Sequence, residues 1–311
     1  MIVAVNAGML PATRQEPRVE RAEVERIVRT LASDDMEGRS ALGNAIERAA
    51  AFIGSEFEAI GLQPLPEQTG FLQRFEADVR GRSAQMANVV GMIPGRRSNE
   101  FVLFSAHYDH VGFQPGRAVD GDSIANGAND NASGTTAVIS LARYFQALGQ
   151  PERTLLFAAF TAEEIGGFGS RYFSNQLDPD EIVAMFNIEM IGKPAREGPN
   201  TAWITGFDRS DFGQILQRAV RGTQYEFYAD PYPDQNLFFR SDNATLARLG
   251  VPAHSISTTP IDVDTDYHRV TDEVETLDLD HMTNTIRAIA AGARTIVSGA
   301  ETPIRVTDVS R

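Results

Sequence analysis

At 311 residues with 42% hydrophobic side chains, the chain carries enough apolar material for a sizeable core. Its formal charge of −14 argues against nucleic acid or an anionic membrane surface as partner, since both are bound through basic patches. There is no cysteine, so disulfides and thiolate metal sites are excluded and any metal must be held by histidine and carboxylates.

Residues 1–11 are apolar but have no basic segment before them. Residues 1–18 therefore read either as a signal remnant or as an N-terminal arm, and the first reading carries the expectation of a periplasmic or secreted protein. That stretch is too short to span a bilayer, and no other run is long enough to be transmembrane. Residues 19–31 and 44–60 have helical apolar spacing, the second ending at Gly61 as a helix stop should. Strand-like runs follow at residues 88–93 and, past Pro94-Gly95, at 101–106. A loop rich in Gly, Asp and Asn, residues 112–129, leads into a helix over 132–148. Residues 154–160 read as a buried strand, 171–176 as helix and 183–191 as strand. Beyond them, 211–220 and 244–249 read as helices, 253–257 as a strand and 279–298 as a closing helix. This alternation predicts an α/β fold with a mostly parallel, mixed central sheet flanked by helices on both faces. No repeat, low-complexity tract or long linker divides it, so residues 19–311 are expected to form a single domain.

Five short segments bring titratable residues to the ends of these runs, where open α/β sheets hold their sites. In Ser105-Ala106-His107-Tyr108-Asp109, the histidine and aspartate are two apart and leave the strand on the same side, a spacing that suits a metal ligand and the carboxylate that orients it. A metal-free His–Asp hydrogen bond would look the same. Asp130, in Gly127-Ala128-Asn129-Asp130-Asn131, stands where a helix N-cap belongs, but the tight turn could also place one carboxylate between two cations. In Thr161-Ala162-Glu163-Glu164 the adjacent carboxylates point in different directions, so one can ligate metal while the other takes a proton from water. Glu189 lies in the apolar run 185–191, where an unpaired charge is costly, so it needs a cation. His268, in Asp266-Tyr267-His268, has loop composition around it. His110, His254 and His281 are read as a loop neighbour, a strand position and a helix N-terminus, outside the ligand set.

At these residues the chain resembles the co-catalytic dizinc exopeptidases, a family that includes secreted bacterial leucyl aminopeptidases and glutamate carboxypeptidase II. The resemblance runs from Leu31-Ala32-Ser33-Asp34-Asp35-Met36-Glu37-Gly38-Arg39 to Tyr267-His268-Arg269-Val270-Thr271-Asp272. It implies two zinc ions per chain, with Mn2+ or Co2+ as possible substitutes: one on His107 and Glu189, the other on Glu164 and His268, with Asp130 bridging. It further implies Glu163 as general base, Asp109 as orienter of His107 and Tyr267 as hydroxyl donor to the developing oxyanion. The substrate implied is a peptide, attacked at its scissile carbonyl by metal-activated water. The family often has aspartate where Glu189 stands, and many relatives carry a protease-associated domain for which residues 75–88 leave no room. Substrate access should then be shaped by residues 112–129 and 225–241. Phe239-Arg240-Ser241-Asp242-Asn243 matches a family segment near the substrate, so Arg240 or Asp242 could contact a substrate terminus, or form a surface ion pair.

An aminopeptidase is favoured because a pocket with Glu163, Glu189 and Asp242 attracts a substrate ammonium. The alternatives are a carboxypeptidase using Arg240, a one-zinc glutaminyl cyclase and a non-catalytic scaffold, the last two disfavoured because every ligand is present. Oligomeric state is not legible in the sequence.

Overall fold

A computed structural model describes residues 16–309 apart from residue 67. The apolar start at residues 1–11 lies outside the described residues. The N-terminal layer is α1 (Arg21–Leu31) and α2 (Ile46–Ile60). Val24, Ile27, Val28 and Leu31 recur at helical spacing and are buried, and α2 stops at Gly61, whose φ of 84° needs no Cβ. Next comes a hairpin, β1 (Leu72–Val79) and β2 (Arg82–Ile93), closed by Arg80 and Gly81, both at positive φ as a two-residue turn of matching twist requires. This hairpin occupies the segment in which no inserted domain was expected.

The central unit is β3 (Arg97–His107), a two-stranded ribbon of β4 (Gly112–Phe113) and β5 (Ile124–Ala125), α3 (Gly134–Leu148) and β6 (Arg153–Phe160). Then follow α4 (Phe168–Ser174), β7 (Ile182–Ile188), β8 (Thr201–Ile204), α5 (Phe212–Ala219), β9 (Glu226–Ala229), α6 (Asn243–Ala247), β10 (Ala253–Ser257) and α7 (Leu279–Val297). Eight strands form one sheet in the order β1-β2-β6-β3-β7-β10-β8-β9. Its centre, β6-β3-β7-β10, is parallel, while β1 and β2 pair antiparallel on one side and β8 meets β10 antiparallel on the other. The mixed sheet expected from the sequence is therefore present, with β1, β8 and β9 added at its flanks. Those short or half-exposed strands carry too few apolar residues to stand out.

Both faces are covered. Along β3, Val102, Phe104 and Ala106 pack with α1, α2, α3, α5 and α7, whereas Leu103 faces Phe173 of α4 and Leu246 of α6. Phe104 sits 5.4 Å from Phe157, 4.9 Å from Phe186 and 5.3 Å from Phe145. A phenylalanine buried this completely contributes about 1.5–3 kcal/mol. That packing fixes register, and register fixes the site: His107 lies opposite Phe160, and Ser105 opposite Asn187. The parallel ends of β6, β3 and β7 thus present Glu163-Glu164, His107 and Glu189 side by side.

Candidate metal centre

His107 is the last residue of β3. Its Nδ1 faces the backbone carbonyl of Asp109 at 3.1 Å, and its Nε2 faces Glu189 Oε1 at 3.2 Å and Asp130 Oδ1 at 3.3 Å. The Asp109 carboxylate is farther from the imidazole, at 3.8 Å. It accepts instead from the backbone N–H groups of Glu163 (3.1 Å) and Glu164 (3.4 Å), so it shapes the glutamate turn while its carbonyl orients the ring. Burial raises the Asp109 carboxyl to about 7.

Asp130 does not cap a helix with its side chain. One oxygen faces His107 and the other lies 3.1 Å from His268 Nε2. Burial opposes its ionisation, but the His107 and His268 imidazoles hold its carboxyl well below the usual range. The capping work falls to its neighbours. Asn131 Oδ1 accepts from Gly134 N and Met190 N, Asn129 Oδ1 accepts from Gly192 N, and Ser133 Oγ accepts from Ile191 N. This loop therefore saturates the backbone that leaves β7, and Glu189, one residue past the end of that strand, points its carboxylate to His107 on one side and receives the Ser241 hydroxyl at 2.7 Å on the other.

Glu164 Oε2 is 3.0 Å from His268 Nε2. Its other oxygen is 2.9 Å from Nδ1 of His110, a residue the sequence reading left out of the site. His110 is buried, and its Nε2 has no hydrogen-bond partner. A proton on Nδ1, donated to Glu164, leaves no buried N–H orphaned, so this histidine serves as hydrogen-bond donor to the carboxylate. The signal available was two histidines and an aspartate within His107-Tyr108-Asp109-His110, but the strand alternation that groups His107 with Asp109 turns His110 away from them. His254 and His281 stay outside: His254 is satisfied by Thr205 O (2.8 Å) and Ser210 Oγ (2.7 Å), and His281 lies in the first turn of α7.

His268 reaches the cluster from a loop held by Lys193, whose ammonium binds Asp264 (2.5 Å) and Asp266 (2.7 Å). Burial lowers the His268 pKa, but Asp130 and Glu164 outweigh it and raise it to about 10. Likewise burial disfavours a charged His107, yet Glu189 and Asp130 keep it well above its ordinary value. Glu163 faces no imidazole, and burial, with Asp242, Glu189 and Glu164 adding to it against His107, pushes its carboxyl well up. Tyr267 stacks on His268 with ring centroids 3.9 Å apart and is partly exposed at the mouth.

Two triads of donors lie within reach of a common point: His107, Asp130 and Glu189, and His110, Asp130 and Glu164. In the second of these, His268 offers the better donor, because its Nε2 is 3.1 Å from the Asp130 oxygen where His110 stands 3.9 Å away. Donors around a four-coordinate zinc with bonds of about 2.0–2.1 Å stand roughly 3.3 Å apart, so the 3.0–3.3 Å separations here fit that ion.

The centre opens into a cavity of about 200 Å³ lined by Glu163, Glu164, Trp203, Arg240, Asp264 and Tyr267 among others. Arg240 is in its wall. Asp242 is not: it is buried behind the site, where burial raises its carboxyl to about 6 against the pull of His107 and the Ser170 hydroxyl, so it neither meets a substrate terminus nor forms a surface ion pair. Of the two segments expected to shape access, Gln235 to Ser241 contribute, but nothing from residues 112–129 does. Their place is taken by Ile261, Asp264 and Tyr267, because the Lys193 tether folds that loop over the strand ends.

Among relatives, a probable leucine aminopeptidase of Trichophyton verrucosum is 30% identical over 206 residues, covering 63% of this chain and 53% of that protein. The leupeptin-inactivating enzyme 1 of Streptomyces exfoliatus is 28% identical over 224 residues, 69% of this chain and 43% of that protein. The chain thus spans about half, or less, of the length of these relatives. Among solved structures, BSAP, a zinc aminopeptidase from Bacillus subtilis, superposes with a TM-score of 0.74 at 15% identity, over 96% of this chain and 100% of that one, a likeness of fold. Residues 88–293, about two thirds of the chain and all of the site described above, match peptidase family M28, and the chain belongs to that family.

Proposed function

We propose that the protein is a two-zinc aminopeptidase that removes N-terminal residues from peptides. The observation that carries this reading is the split of Asp130, one oxygen toward His107 and Glu189 and the other toward His268 and Glu164, which is how a single carboxylate serves two cations. His107 and Glu189 would hold one ion, His268 and Glu164 the other. Bound there, zinc supplies Lewis acidity and lowers the pKa of water to about 7.

The remaining chemistry belongs to the chain. Glu163 stands in the cavity wall with no imidazole partner, and its raised pKa suits a group that accepts a proton from water and returns it to the leaving amine. Asp109 keeps it in place by accepting from its backbone N–H. Tyr267 lies beside His268 at the mouth, where its hydroxyl can donate to the oxygen that gains charge in the transition state. Burial and the surrounding carboxylates raise its pKa, so the hydroxyl keeps its proton. Beyond the residues that would hold metal, the cavity wall carries the carboxylates of Glu163 and Asp264 and the guanidinium of Arg240, a balance that leans toward a substrate ammonium over a substrate carboxylate.

Three results test the reading. Acetylating the N-terminus of a cleaved peptide should abolish turnover while amidating its C-terminus leaves it nearly unchanged. The reverse pattern would make the enzyme a carboxypeptidase that uses Arg240. Glu163→Gln should retain zinc and lose about 10²- to 10⁴-fold in kcat, the range for removing acid–base help, and an unimpaired variant would contradict its role. Zinc uptake should also release protons: Asp130 and Glu164 raise the metal-free imidazole of His268 to about 10, and Glu189 and Asp130 raise that of His107 well above its ordinary value, so each must give up its proton to ligate. Apparent zinc affinity should therefore rise with pH from 6 to 9, measured by calorimetry in buffers of different ionisation enthalpy. A pH-independent affinity would show that these imidazoles are not ligands.

A further inference from the structure

The segment Leu31 to Arg39 lies outside residues 88–293, and none of its side chains enters the centre described above. It contains the largest fully buried side chain among the described residues, Arg39, whose relative exposure is 0%. The guanidinium spends its hydrogen bonds on four backbone carbonyls. Nε donates to Tyr108 (2.7 Å), Nη1 to Leu31 and Asn126 (2.6 Å each), and Nη2 to Gly127 (2.9 Å). Its own carbonyl accepts from His110 N at 3.2 Å.

The targets are not scattered. Tyr108 separates His107 from Asp109, and Asn126 and Gly127 enter the turn that delivers Asp130. Gly127 has a φ of 55°, and a Cβ there would fall 2.2 Å from Asp130 O and 2.4 Å from the His110 ring, so this turn has one workable path. From the opposite side Asp272 holds the same turn, accepting from Asn129 N (2.9 Å) and Asp130 N (3.0 Å). Arg39 and Asp272 thus clamp the Asp130 loop between a donor fork and an acceptor fork, and the Arg39 fork ties the entry of that loop to the backbone just past β3.

The tie uses four N–H donors, more than the two of a neutral amide, so the fork brings its charge with it. Burying an ion costs several kcal/mol unless it is compensated, and no carboxylate among the described residues pairs directly with this one. Burial lowers its pKa to about 10, and the groups that resist this are Asp272, Asp109, Asp130 and Glu164. The positive charge is thus held by four backbone carbonyls, with Asp272, Asp109, Asp130 and Glu164 as the carboxylates whose field favours it.

We infer that Arg39 is a positioning residue of the metal centre: its fork holds the backbone of the His107 and Asp130 segments in the arrangement that binds zinc, and its charge offsets the carboxylates before metal arrives. The inference rests on the two-zinc reading. It differs from a scaffolding role in predicting a defect in metal binding by protein that is fully folded.

The test is zinc titration of metal-stripped full-length protein against a chromophoric chelator, at a temperature where circular dichroism shows each variant folded. Wild type, Arg39→Lys and Arg39→Gly are compared; glycine suits the φ of 49° at this position and leaves a guanidinium-sized space. Wild type should take up two zinc ions. Both variants should bind the weaker ion about 10- to 100-fold less tightly, the range for losing a partner that orients ligands. Millimolar guanidinium should restore affinity to Arg39→Gly but not to Arg39→Lys, whose ammonium keeps the charge and fills the space without the fork. Folded variants with wild-type zinc affinity overturn the inference, whatever their melting temperatures, and should Arg39→Gly fail to fold, Arg39→Lys decides by the same titration. If wild type itself does not bind two ions, the two-zinc reading fails and this inference falls with it.

Discussion

The structure depends on a concentration of negative charge that the protein alone does not neutralise. Asp109, Asp130, Glu163, Glu164, Glu189, Asp242 and Asp272 gather at the ends of three adjacent parallel strands, with His107, His110, His268 and the distant fork of Arg39 as the local cations or donors. At the reduced effective dielectric of a protein interior, carboxylates this close repel by kcal/mol amounts, so without metal the cluster must recruit protons, which is why His268 rises to about 10 and Glu163 stays protonated beyond its ordinary range. In the two-zinc reading, divalent ions would turn this cluster into a ligand set and release the protons it holds.

Much of the fold exists to hold those groups still. Phe104 and its aromatic neighbours lock the register of β3 against β6 and β7, and the register sets His107 beside the turn that carries Glu163 and Glu164. Asn129, Asn131 and Ser133 spend their side chains on the backbone beyond Glu189, so that segment satisfies its N–H groups without regular pairing and remains free to aim a carboxylate inward. Lys193 does the same for the loop of His268, pinning it through two aspartates rather than through strand hydrogen bonds.

How legible this was in the sequence follows from the range of each interaction. The titratable residues that cluster at the ends of apolar strands were visible because the pattern is local: an apolar run, then His107, Glu163-Glu164 or Glu189. The four long helices were visible for the same reason, each within a few residues of its expected bounds. What escaped was set by tertiary geometry. His110 looked like a loop neighbour because its partner Glu164 is 54 residues away. Asp242 looked like a surface charge near the substrate because nothing local shows that α6 buries it under the sheet ends. Residues 112–129 looked like a wall of the cavity by composition, whereas the wall comes from the loop that Lys193 folds over the site. Membership of family M28 could be anticipated from the order of five motifs, none of which is specific alone.

The claim on which the rest turns is that Asp130 joins two metal ions. Anomalous diffraction recorded above and below the zinc absorption edge, from crystals of the zinc-loaded protein, addresses it directly. The expected result is two peaks about 3.5–4 Å apart, one among His107, Glu189 and Asp130 and the other among His268, Glu164 and Asp130. A single peak, or two peaks of which only one contacts Asp130, would contradict it.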